Sequence, residues 1–151
     1  MIEIKNKKAE YQYYLMGEYT AGLVLTGTEI KSIRAGKANL TDAYCAFIGD
    51  ELFVMNMHIS EYKYGTHYNH EPKRKRKLLL NARELRKLRT QINEKGYTII
   101  PVKLFINDKG LAKLLISLAK GKKLYDKRET LKEKDTERSL RRLKEDEKTK
   151  Y

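Results

Sequence analysis

The apolar alternation that carries the first 119 residues stops at Lys120, and nothing after it restores a buried face. Beyond Gly121 the only sizeable apolar or aromatic residues are Leu124, Tyr125, Leu131, Leu140, Leu143 and Tyr151. Such a segment cannot offset the entropy of its own ordering by burial. Glu137 with Arg141, Arg141 with Glu145 and Arg142 with Asp146 stand four residues apart. Each such pair stabilises a helix by roughly 0.2–0.5 kcal/mol. The segment therefore reads as coil or fraying helix when free, and as helix beside a polyanion. The chain divides into a folded body, residues 1–121, and a basic C-terminal tail, residues 122–151.

The body patterns like a sheet. Residues 11–16 and 19–25 are rich in aromatic and aliphatic side chains and read as two strands, with Tyr19, Ala21, Leu23 and Leu25 on one face. Residues 43–48 and 52–57 flank Gly49-Asp50-Glu51, a hairpin signal, and residues 97–106 and 111–119 flank Asn107-Asp108-Lys109-Gly110, a second one. About six strands result, which favours a closed barrel or a sandwich. Two helices interrupt them. Thr26 with Glu29 forms a capping box, Ile30 and Ile33 supply the apolar stripe, and Gly36 ends the first helix. Asn81 with Glu84 caps the second, Leu80 and Leu85 staple it, Leu85, Leu88 and Ile92 share a face, and Gly96 closes it. The expected fold is mainly β: an OB-like antiparallel barrel of about six strands with two or three inserted helices.

Charge points to the partner. Lys and Arg number 33 against 20 Asp and Glu, a formal net charge of +13, which suggests nucleic acid first and an anionic membrane surface as the rival. No apolar run approaches the roughly 20 residues a membrane span needs, and Met1-Ile2-Glu3-Ile4-Lys5 has no signal-peptide core. One cysteine, Cys45, excludes an internal disulfide and fits a reducing cytoplasm. Lys73-Arg74-Lys75-Arg76-Lys77 reads as a solvated cationic loop whose self-repulsion turns favourable beside phosphates, RNA or DNA alike. The chain has 11 tyrosines and no tryptophan, so exposed tyrosines among lysines are the candidates for stacking on unpaired bases. Tyr13 and Tyr14 are strand neighbours and cannot both face the core. His58, His67, His70 and the lone cysteine match no metal-ligand spacing, and no nucleophile elbow or glycine-rich phosphate loop is present. We expect neither cofactor nor metal nor enzymatic activity. Glu29, the one imaginable general base, is already explained by its capping box.

The residues that complete this reading are ordered blocks along the chain. They include Asn6-Lys7-Lys8-Ala9, Ala21-Gly22-Leu23-Val24-Leu25-Thr26-Gly27-Thr28-Glu29-Ile30-Lys31-Ser32, and Arg34-Ala35-Gly36-Lys37-Ala38-Asn39-Leu40. They continue with Asp42-Ala43-Tyr44, Asn56-Met57-His58-Ile59-Ser60, Asn69-His70-Glu71-Pro72 and Arg76-Lys77-Leu78-Leu79-Leu80, and end with Leu118-Ala119-Lys120-Gly121-Lys122-Lys123-Leu124-Tyr125-Asp126-Lys127-Arg128. In this order they resemble the SsrA-binding protein family, also called small protein B. The resemblance implies an OB-like barrel that binds the tRNA-like domain of transfer-messenger RNA and carries it, as a monomer in complex with the RNA, to stalled ribosomes. There the tail would follow the empty mRNA channel as a helix, and the nascent chain would be tagged. It implies RNA contacts at Asn6, Tyr13, Lys37, Lys77, Leu79, Asn81, Lys120, Gly121, Lys122 and Lys123. It implies contacts at the ribosomal decoding centre and mRNA channel for Tyr125, Asp126, Lys127 and Arg128. The chain departs from many relatives at Thr20, where they carry an acid, and at Ser117, where a glycine is frequent. The alternative is a general single-stranded RNA-binding OB module or ribosome-associated factor.

Overall fold

The computed structural model describes residues 2–65 and 69–122. In chain order the elements are β1 (Glu3–Lys5), α1 (Ala9–Gln12), β2 (Tyr13–Leu23), α2 (Gly27–Arg34), β3 (Ala38–Asn39), β4 (Tyr44–Ile48), β5 (Glu51–Met55), β6 (His58–Ile59), β7 (Arg76–Leu79), α3 (Ala82–Lys95), β8 (Thr98–Ile106) and β9 (Ala112–Gly121). Strands β8, β4, β5, β7, β2 and β9 are neighbours in that order, and β9 pairs back onto β8. The result is a closed antiparallel ring of six strands, as the patterning predicts. Closure leaves no open edge on the ring. β1 extends the β8 edge through Ile4↔Leu104, at the far end from Cys45↔Ile99 of β4, and β3 pairs with β6 outside the ring.

Both expected hairpins form. β4 and β5 join through Gly49-Asp50, with Ile48 opposite Glu51 and Gly49 at φ 62°. β8 and β9 join through residues 107–111, where Asn107 Oδ1 accepts from the amides of Lys109 and Leu111. The first two expected strands differ. Residues 11 and 12 end a helical turn, residues 24 and 25 fall beyond the strand, and the rest of both runs is one strand, β2, interrupted by a bulge at Met16 opposite Ala119 and Leu118. A second bulge, at Val102, lies opposite Ile116 and Leu115. Bulges bend and coil strands, which a six-stranded ring needs in order to close. On β2, Tyr19, Ala21 and Leu23 do face the core, Ala21 completely.

Both capping boxes are complete. Thr26 N–H donates to Glu29 Oε1 at 2.9 Å, and Glu84 N–H donates to Asn81 Oδ1 at 2.8 Å. Gly36 at φ 74° and Gly96 at φ 66° adopt the left-handed conformation that ends each helix. Ile33 of α2 and Leu88 of α3 are fully buried against a core of Leu52, Val54, Leu104 and Ile116. Truncating any of these to alanine would cost about 2–5 kcal/mol. Helix α3 also grips the β4–β5 turn, with Arg89 donating to Asp50 Oδ1 at 2.9 Å and lying 5.0 Å over the Phe47 ring. No helix among the described residues is long and apolar enough to cross a membrane.

Candidate nucleic-acid interface

Of the nine expected RNA contacts among the described residues, seven fall in two places on the barrel. At the first end, β2 begins where β9 finishes, with Tyr13 opposite Gly121 and Tyr14 opposite Lys120. The backbone of Lys122 continues the pairing by donating to Gln12 O at 2.9 Å. Its ammonium donates to Glu10 O at 2.8 Å and sits 4.9 Å over the Tyr14 ring. Strand alternation decides the tyrosine pair. Tyr13 packs on the small cluster of Ala9, Ile100 and Ala119, whereas Tyr14 is 44% exposed. Tyr14 is therefore the aromatic surface at this end, a residue that reading the sequence did not single out as a contact. Its signal was available: an adjacent tyrosine of opposite parity, next to a lysine-rich strand end.

Asn6 stitches this end together. Its backbone N–H donates to Val102 O at 2.8 Å and its Nδ2 donates to Pro101 O at 2.9 Å. The backbone bond continues the β1–β8 register by one residue, and the side-chain bond adds a second tie beside the bulge at Val102. Its Oδ1 accepts from Lys8 N–H at 3.3 Å. Asn6 thus anchors the turn that displays Lys7 and Lys8, both exposed.

The second end is built on Gly22, which pairs with Leu79 on β7 and with Lys113 on β9. A Cβ at Gly22 would lie 3.2 Å from Leu79 Cβ, so the missing side chain is what lets β7 come this close. Leu79 is 51% exposed and borders a groove of about 350 Å³ with Leu23, Leu25, Ile30 and Leu111. Arg34 and Lys113 supply its cations, and Arg34 donates to Gly110 O at 3.3 Å. Asn81, exposed, caps α3 directly beyond Leu79. Lys113 and Lys120 are seven residues apart on β9, roughly 24 Å of extended chain. The barrel therefore presents two separate cationic surfaces.

The run of five cations from Lys73 to Lys77 is not the uniform solvated loop that its composition suggests. β7 begins inside it, so Arg76 and Leu78 point inward while Lys77 and Leu79 point outward. Arg76 is fully buried and donates to Glu29 Oε2 at 2.5 Å, to Met57 O at 2.5 Å and to Pro72 O at 3.1 Å. Arg74 donates to Glu29 Oε1 at 2.6 Å. Glu29 is therefore more than a cap. Burial alone would raise its pKa, but hydrogen bonds from Arg74, Thr26 N–H and Arg76, with the Arg76 charge, hold the carboxyl at about 2. Burial lowers the Arg76 pKa, and Glu29 opposes that shift. Beside this pair His70 is buried, with Nε2 at 2.8 Å from Ile59 O and Nδ1 at 2.9 Å from Thr28 Oγ1. A carbonyl only accepts, so Nε2 carries the proton. The remaining cations of the run face out: Lys75 lies 5.5 Å over Phe53, and Lys77 pairs with Glu51.

Lys37 stands apart from both ends. It is exposed just after α2, and its carbonyl accepts from Ser60 N–H at 3.0 Å. Thr20, exposed, continues the outward face of β2, and buried Ser117 turns its hydroxyl to Leu118 O at 2.9 Å. Lys123, Tyr125, Asp126, Lys127 and Arg128 lie outside the described residues.

Comparison with known proteins covers most of the chain. The SmpB protein family matches residues 3–146. The SsrA-binding protein of Phocaeicola vulgatus is 62% identical over 142 residues, covering 94% of this chain and 95% of that protein. The SsrA-binding protein of Christiangramia forsetii is 59% identical over 142 residues, covering 94% and 90%. Among solved structures, a chain from "tmRNA-SmpB: a journey to the center of the bacterial ribosome" superposes with a TM-score of 0.70 at 41% identity, covering 87% of this chain and 95% of that one.

Proposed function

The chain belongs to the SmpB protein family, and on that premise we propose that it binds the tRNA-like domain of transfer-messenger RNA and delivers it to stalled ribosomes for tagging of the nascent chain. The observation that carries this reading is the likeness of fold and sequence to a solved SmpB chain described with transfer-messenger RNA at the ribosome. The relatives are named for binding SsrA RNA. The two separated cationic surfaces support it, because an adaptor between two RNA bodies needs more than one.

In this reading residues 1–121 are the RNA-binding barrel and residues 122–151 are a tail that enters the mRNA channel. Lys120, Gly121, Lys122 and Lys123 meet phosphate at one end, where Gly121 lets backbone approach closely and Asn6 and Tyr13 hold the platform. Leu79 and Asn81 meet RNA at the other end, and Lys37 and Lys77 add charge between elements. Tyr125, Asp126, Lys127 and Arg128 work at the decoding centre of the small subunit. The protein makes and breaks no covalent bond; it acts in the cytoplasm, where ribosomes are, by positioning RNA.

The test compares affinity for the tRNA-like domain with affinity for an unrelated hairpin at equal salt. We expect at least a tenfold preference, and equal affinity rejects specific recognition. Sequencing the RNA that co-purifies with the protein tests the same point independently: one dominant species supports the adaptor, and a broad spread supports the general single-strand binder. Truncation before Leu124 is expected to keep RNA affinity nearly intact and to abolish tagging.

A further inference from the structure

A third cluster shares no residue with the two sites described above. Tyr64, in the segment after β6, is the most exposed large apolar or aromatic residue among those described, at 73%. Its ring lies 5.6 Å from that of Tyr62 at an interplanar angle of 72°, and Lys63 Nζ is 5.6 Å from its centroid. Tyr62 in turn lies under Lys31 of α2, 5.4 Å from ammonium to centroid. The backbone beneath is fixed by Asn69, whose Nδ2 donates to Tyr62 O at 2.9 Å and whose Oδ1 accepts from Tyr62 N–H at 3.1 Å. Lys37 belongs to the same neighbourhood, through its carbonyl's bond to Ser60 N–H two residues before Tyr62.

A core has no use for this arrangement, because Tyr64 stays in water. An edge-on tyrosine pair flanked by cations is a stacking platform. A nucleobase offers a π-face to the ring, and its phosphate offers charge to the lysines. We propose that Tyr64, backed by Tyr62 and flanked by Lys31 and Lys63, binds an unpaired nucleobase, as a contact additional to the β2–β9 end of the barrel and to the Leu79 groove. This rests on the reading of the chain as an RNA-binding adaptor. Two RNAs carry such bases, transfer-messenger RNA and ribosomal RNA, and the experiment separates them.

The chain contains no tryptophan, so Tyr64→Trp creates a single reporter. Its emission is titrated with transfer-messenger RNA alone and with ribosomes alone. Strong quenching in either arm supports stacking and names the source; emission unchanged in both overturns the proposal. Tyr64→Leu is expected to weaken binding in the responding arm by roughly 5- to 150-fold, and Tyr64→Phe to keep it, since the ring and not its hydroxyl makes the contact. Equal affinity of the Leu and Phe variants overturns the proposal. Ultraviolet cross-linking of the unaltered chain is expected to give a nucleotide adduct at residues 62–64, and an adduct there to a ribosomal protein overturns it. If the unaltered protein binds transfer-messenger RNA while Tyr64→Trp stays silent in both arms, only this inference fails. If it shows no RNA preference, the proposed function fails with it.

Discussion

Replacing Arg76 by methionine tests whether the pair between α2 and β7 is what seats the cationic run. The substitution keeps the buried aliphatic stem and removes the guanidinium. Glu29, with no exposed side-chain surface, then keeps Arg74 as its remaining cation. Breaking a buried pair from one side costs about 3–5 kcal/mol. Titration gives a second route to the magnitude. A carboxyl held at about 2 instead of 4.5 contributes roughly 3 kcal/mol at neutral pH. The carbonyls of Met57 and Pro72 also lose their donor, and the surviving Arg74 contact works the other way. We expect a loss of about 3–4 kcal/mol at pH 7, or a fall in Tm of roughly 12–16 °C for a body of this size. The sign with pH follows from the lowered carboxyl. Its stabilisation is fully present above the unfolded value near 4.5 and disappears as pH falls toward 2. The variant has less of it to lose, so the gap between the two proteins is expected to narrow between pH 4.5 and 2. Urea unfolding followed by circular dichroism at pH 7, 5, 4 and 3 measures the gap. A difference below about 1 kcal/mol at pH 7, or one that stays constant down to pH 3, refutes the argument. Adding Glu29→Gln to the variant is expected to restore part of the loss, because the stranded charge is gone.

Three further outcomes are expected. Asn6→Ala removes the side-chain bond to the carbonyl of Pro101 and is expected to cost about 0.5–1.5 kcal/mol in urea unfolding. Gly22→Ala places a Cβ 3.2 Å from that of Leu79 and displaces it; a loss of at most about 1 kcal/mol is expected, with weaker binding of the tRNA-like domain in a filter assay. Cys45 is buried and its thiol is pushed far up by that burial, so the native protein is expected to resist thiol reagents at pH 8 and to react once unfolded in urea.

Helix ends and hairpins were legible because their signals are local. Thr26 with Glu29, Asn81 with Glu84, and glycines at positive φ each act within four residues, and the structure places all of them as patterned. Strands of two or three residues, such as β1, β3 and β6, are too short for a period to register. β2 looked like two strands because the bulge at Met16 resets the alternation midway. Arg76 was hidden for a different reason. Five cations in a row read as solvent-facing unless a carboxylate waits inside, and that carboxylate is 47 positions away at Glu29. The side-chain bond that holds Asn6 spans 95 positions, a separation that no local pattern announces. At the candidate interface, lysine density pointed to residues 120–123, the choice of Tyr14 over Tyr13 as the exposed ring came only from the structure, and the pairing of Tyr62 with Tyr64 arises from a loop shape that composition does not encode.

Strand β9 touches β2 along one side and β8 along the other, and both precede it in the chain. During synthesis, therefore, the ring has to wait. Until residues 112–121 leave the exit tunnel, the nascent protein carries two bare strand margins, each able to recruit a foreign segment. Completion then joins the first strands of the ring to its last in one step, a late and long-range event that makes slow, all-or-none maturation the expected course.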